Sequence, residues 1–205
     1  MTITESIVRR ARKAVGKNAP VQRLDYPAVA AMRYSALEGS PVTFLGDSLA
    51  QDGPWSELLG YPVATRAILG QYTREMTAWL DLALRHSPHT VVVWLGTNDA
   101  LADHSPQDFE RDYDALLGGI TERVPSAKVV LLEVPPLTRD GVRSVPELNT
   151  VIHRVSERRG LPLVRFASEL AHESSAYDGI HLTGESYALI ASKLATIIEP
   201  ALDAR

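Results

Sequence analysis

The sequence predicts an α/β fold of three layers, α/β/α, around a doubly wound parallel sheet of five strands. Two observations carry this. Five short apolar runs, rich in Val, Leu and Ile, do not alternate with polar residues, which is how strands buried on both faces read. Between them lie segments whose apolar residues recur at three- and four-residue spacing, the signature of helices with one buried stripe. Run and stripe take turns along the chain, so each strand reaches the next through a helical crossover.

The strands are Val42–Leu45, a weaker run at Val63–Ile68, then Val91–Leu95, Lys128–Val134 and Leu163–Phe166. Thr73 is positioned to cap a helix with Met76, Leu80 and Leu84 on one face. Ser105 followed by Pro106 opens the next, a capping residue and then proline at the first helical position. Its stripe is Phe109, Tyr113, Leu116, Leu117 and Ile120. Pro146 starts another, with Leu148, Val151, Ile152 and Val155 buried, and the last runs from about Gly184 to Ile198.

Residues 1–40 precede the first strand and read as a helical extension on the domain that spans 41–205. Thr2 and Glu5 have capping-box spacing, and Ile7, Val8, Ala11, Ala14 and Val15 form one stripe. The stripe fits a helix packed on the domain. Arg9, Arg10, Arg12, Lys13 and Lys17 also fit contact with an anionic membrane surface.

Composition narrows the function. The chain has 205 residues, a length that favours one domain. Its lack of cysteine removes disulfides, thiolate metal sites and a cysteine nucleophile. A net charge of −4 disfavours a non-specific nucleic-acid binder, which must neutralise phosphates. The N-terminal stretch lacks the apolar centre of a secretory signal, and no apolar run reaches membrane-spanning length, so the expected compartment is the cytoplasm, without membrane insertion.

Ligands of open α/β sheets bind outside the carboxyl ends of the strands. Gly46-Asp47-Ser48-Leu49 follows the first strand, and Gly70 follows the second. Gly96-Thr97-Asn98-Asp99 follows the third. Asp178-Gly179-Ile180-His181 lies in the loop before the last helix. These are the parts of a serine hydrolase. The Ser48 hydroxyl is a weak nucleophile and needs a base. His181 can take its proton, and Asp178 can hold the imidazole and stabilise its charged form. The backbone N–H groups of Ser48 and Gly70 and the amide of Asn98 can receive the developing oxyanion.

Together these blocks resemble the SGNH (GDSL-type) hydrolases: VTFLGDSLAQDG, TRAILGQYT, VVVWLGTNDA and YDGIHLTGESY occur in order between about residues 42 and 190. The resemblance implies a flavodoxin-like α/β/α fold for the hydrolase domain at 41–205 and esterase, lipase or acyl-hydrolase activity without cofactor or metal. It also implies Ser48 as nucleophile, Gly70 and Asn98 as oxyanion donors, and Asp178 and His181 as the rest of the triad. Thr65-Arg66-Ala67 departs from the Asn-Arg-Gly that often opens the second block.

Each residue also has a plainer explanation. Ser48 suits a helix cap. Asp47 suits loop-tying hydrogen bonds, as does Asp99, and Asn98 suits a turn. His86, His89, His104, His153 and His172 read as surface or loop residues, with His104 alone near the pocket. Three connections, Ala100–Ser105, Pro135–Val145 and Ala167–Tyr177, are expected to wall the site. Arg139 and Arg143 in the second are candidates for an anionic substrate group, or solvated loop residues. These lengths leave no room for a lid domain, so the expected substrate is a small-molecule ester with a short or medium acyl group. An acyltransferase or thioesterase would use the same triad, and a binding protein could share the scaffold. The oligomeric state is not legible.

Overall fold

A computed structural model of the chain describes residue 34 and residues 38–138, 144–170 and 175–202, with side chains as far as residue 198. The predicted extension at 1–40 therefore lies almost wholly outside the described residues, as do Arg139, Arg143 and His172.

The elements in order are β1 (Val42–Gly46), α1 (Ser48–Asp52), α2 (Trp55–Leu59), β2 (Val63–Ala67) and α3 (Thr73–Met76). A 3₁₀ turn (Thr77–Trp79) leads into α4 (Leu80–Ala83), then β3 (Thr90–Trp94), α5 (Thr97–Leu101), α6 (Pro106–Arg123), β4 (Lys128–Leu132), α7 (Val145–Arg159), β5 (Leu163–Val164) and α8 (Gly184–Leu202). The five strands form one parallel sheet in the order β2-β1-β3-β4-β5, the doubly wound arrangement expected.

Alternate strand residues feed two cores. Phe44, Val92, Trp94, Val130, Leu132 and Val164 pack against Leu49, Trp55, Ile190 and Leu194 of α1, α2 and α8. Leu45, Val91, Val93, Val129 and Leu131 meet Met76, Phe109, Tyr113, Leu148 and Ile152 on the other face. The predicted stripes of α6 and α7 are all buried. Burying a side chain of this size contributes about 1.5–3 kcal/mol relative to exposure, so both helix layers are held by the sheet.

The register positions the site. Gly46 lies opposite Ala67 on one side and Trp94 on the other, so β1, β2 and β3 end on one row. The loops of Ser48, Gly70 and Asn98 leave from that row. Beneath them, Phe44 stacks on Trp55 at 4.4 Å, and Trp55 meets Tyr187 edge-on at 5.6 Å. The Tyr187 hydroxyl donates to the Leu49 carbonyl at 2.9 Å, fastening α8 to the short helix that begins at Ser48.

Three local expectations are corrected. Thr73 is the first residue of α3 rather than its cap, because its hydroxyl is bonded to Asp99. The single helix expected over Thr73–Leu84 is broken by the 3₁₀ turn. The last strand stops at Val164 instead of Phe166, since the Phe166 N–H is taken by the Glu133 carboxylate.

Candidate active site

The turn from β1 into α1 presents Ser48. Asp47 is the N-cap: its carboxylate accepts the Leu49 N–H at 3.0 Å. Capping is thus done by Asp47, which leaves the Ser48 hydroxyl outside the helix's own bonding. Ser48 is 8% exposed, at the floor of the site.

Asp178 and His181 come from a tight loop closed by an antiparallel bridge between Ala176 and Leu182 and by the Tyr177 N–H donating to the His181 carbonyl at 3.0 Å. Asp178 organises this loop. One carboxylate oxygen accepts the N–H groups of Ile180 at 3.0 Å and His181 at 2.7 Å. The other lies 2.7 Å from His181 Nδ1. The three-residue spacing thus lets one side chain shape the turn and hold the imidazole. His181 Nε2 is 3.1 Å from Ser48 Oγ. With the proton on Nδ1, Nε2 is free to accept the hydroxyl proton.

Gly70 sits third in a turn whose Gln71 N–H donates to the Ile68 carbonyl at 3.2 Å. Its φ of +70° is the left-handed conformation that such a turn requires and that glycine adopts without strain. Gly96, with φ of +123°, opens the loop of Asn98, and a Cβ there would lie 2.7 Å from Val134 Cγ2. The Asn98 side-chain amide donates to the Gln71 carbonyl at 3.1 Å, which brings it beside the Gly70 turn and leaves its second amide hydrogen for a ligand.

Electrostatics divide the acids. Burial pushes the Asp47 carboxyl up to about 7, and nearby Asp99 adds to the rise. The Leu49 N–H, the Thr97 hydroxyl and His181 oppose it without cancelling it. For Asp178, desolvation is the largest influence and acts upward. The hydrogen bonds from His181 and Ile180 outweigh it and hold the carboxyl below its ordinary value.

His104 is near the site, but its Nδ1 faces Asp99 at 2.9 Å and its ring stacks on Tyr72 at 5.2 Å, so only Nε2 remains for a substrate. His153 is not a bare surface residue: it sits on α7 and its Nε2 bonds Glu133. Glu133 carries no signal in the sequence because it stands inside an apolar run. It is 5% exposed, and its second oxygen accepts the N–H groups of Phe166 and Ala167, both at 2.7 Å. Tyr177 carries no sequence signal either: the residue is 71% exposed and its ring stacks on His181 at 5.9 Å. Among the described residues, no group of three His, Asp or Glu side chains is arranged to hold a metal ion. Nor is any described helix long and apolar enough to cross a membrane.

The sequence model of the GDSL-like Lipase/Acylhydrolase family matches residues 29–189. Thioesterase 1/protease 1/lysophospholipase L1 of Escherichia coli K12 is 23% identical over an alignment of 185 residues, covering 82% of this chain and 88% of that protein. A GDSL-like lipase from Bacteroides thetaiotaomicron superimposes with a TM-score of 0.72 at 20% identity, covering 86% of this chain and 98% of its own. Est24, a carbohydrate acetylesterase from Sinorhizobium meliloti, gives 0.66 at 18% identity, with 78% and 98% covered.

Proposed function

Because the chain belongs to the GDSL-like lipase/acylhydrolase family and is an enzyme of the esterase class, we propose that it cleaves carboxylic esters through an acyl-serine intermediate, with Ser48, His181 and Asp178 as its triad. The observation that carries this is the continuous hydrogen-bonded line from Asp178 through His181 to Ser48. His181 Nε2 takes the Ser48 proton as Oγ bonds to the ester carbonyl carbon. The charge that builds on the carbonyl oxygen is met by the N–H groups of Ser48 and Gly70 and the amide of Asn98. As the carbon–oxygen bond to the leaving alcohol breaks, the imidazolium returns its proton to that alcohol. Water then repeats the sequence on the acyl-enzyme and frees the acid. Asp178 stays ionised at neutral pH and supports the charged imidazole between the two transfers.

The rim favours small or medium acyl groups. Gly70 and Asp178 are exposed, and Leu69 and Tyr177 stand open beside them. A thioester donor is the second reading, favoured by the Escherichia coli relative named for that activity. The same acyl-serine would form, with a thiol in place of the alcohol.

The test uses a fluorophosphonate probe and p-nitrophenyl esters of graded chain length. Labelling of Ser48 is expected, with hydrolysis lost in Ser48→Ala. Wild-type hydrolysis by Ser48→Ala would refute the assignment. Matched acetyl esters and thioesters then decide the donor.

A further inference from the structure

The two side-chain and loop donors that the proposed chemistry needs do not share an element. Gly70 lies in an exposed turn after β2, and Asn98 in α5 after β3. The turn has one internal hydrogen bond, Gln71 N–H to Ile68 carbonyl, and nothing in that bond fixes its distance from Asn98.

The segment from Asn98 to His104 grips three successive residues, the last of the turn and the first two of the start of α3 that continues it. The Asn98 amide holds the Gln71 carbonyl at 3.1 Å. The His104 ring stacks on Tyr72, with 5.2 Å between centroids and 29° between planes. Asp99, which is fully buried, accepts both the backbone N–H of Thr73 at 3.1 Å and its hydroxyl at 2.8 Å through one oxygen. Its other oxygen faces His104 Nδ1 at 2.9 Å, so the same carboxylate also orients the stacked ring. Thr73 is itself fully buried, which keeps water from competing for these bonds.

We propose that Asp99 is a positioning residue for acyl transfer: one buried carboxylate that fastens the Gly70 turn to the Asn98 loop, directly at Thr73 and through His104 at Tyr72, and so sets the spacing of the oxyanion donors. The proposal rests on the serine-hydrolase reading above. Asp99 touches no reacting atom. It acts because donors serve a transition state only when they are already in place, and displacement by about 1 Å costs on the order of a hundredfold in rate.

The experiment measures kcat and KM on a short p-nitrophenyl ester for Asp99→Asn, Thr73→Val, Thr73→Ser and Ser48→Ala, with thermal melting of each. Asp99→Asn is expected to lower kcat by about 10- to 100-fold while KM stays within about threefold, as the loss of a transition-state interaction requires. Thr73→Val, which keeps shape but removes the hydroxyl, should lose several-fold in kcat, and Thr73→Ser should recover most of it. Should Asp99→Asn not fold, the Thr73 pair decides. Equal activity of Thr73→Val and Thr73→Ser, or a loss in Asp99→Asn carried only by KM or only by melting temperature, overturns the proposal. Full activity in Ser48→Ala would instead refute the serine-hydrolase reading, so the two failures are distinguishable.

Discussion

His181 Nε2 and Ser48 Oγ meet at 3.1 Å although 133 residues separate them in sequence. The contact depends on two separately organised ends. Asp47 caps α1 and sets Ser48 at its start, while Asp178 closes the loop that carries the imidazole.

The first prediction concerns that loop. Asp178→Asn keeps the size of the side chain but removes its charge and can select the wrong imidazole tautomer. Loss of kcat on the order of 10²- to 10⁴-fold is expected, with little change in KM. Steady-state kinetics on a short ester check it, and a loss below twofold contradicts the role given to Asp178.

Asn98 should matter in the transition state more than in substrate binding. Asn98→Ala removes the amide donor together with the bond to Gln71. A fall of about 10²- to 10³-fold in kcat is expected. If KM rises instead while kcat holds, Asn98 holds the ground state and the transition state equally, and the donor role fails.

Asp47 makes a prediction about stability and pH. Its carboxyl ionises near 3.8 when unfolded but near 7 in the fold, because burial opposes the charge. Between those values the folded chain retains a proton that the unfolded chain has released. Stability from this group is therefore fullest below the lower value and is lost as pH rises through the window. Asp47→Asn keeps an acceptor for the Leu49 N–H and cannot ionise. Its stability relative to wild type should rise between about pH 4 and pH 8, by at most about 4 kcal/mol. Urea melts of both proteins at the two pH values measure this double difference. A difference that does not change with pH contradicts it.

Glu133 is predicted to hold the far side of the sheet. Glu133→Leu strands the buried Phe166 N–H and the half-buried Ala167 N–H and frees His153. Unsatisfied buried groups cost about 1–3 kcal/mol each, so a loss of several kcal/mol is expected from denaturant melts. Glu133→Gln, which retains one acceptor oxygen, should lose less. Equal losses would mean that the negative charge, which both variants remove, matters at this position rather than a neutral acceptor oxygen.

The layers, the strand and helix order, and the residues that gather at the site are legible in the chain alone. Apolar runs such as Val91–Leu95 have nowhere to go but the inside of a sheet, and the stripes of α6 and α7 have one face to bury. Asp178 and His181 were legible together because their bond is local, three residues apart. The long-range polar wiring is visible only once the chain is folded. Asp99 reaches Thr73 across 26 residues, and Glu133 reaches Phe166 across 33. Neither distance follows any helical or strand period, so no pattern in the chain announces the pair. Such bonds form only after burial of the apolar faces has brought separate loops to one edge, and they in turn set where Thr73 begins its helix and where the fifth strand ends.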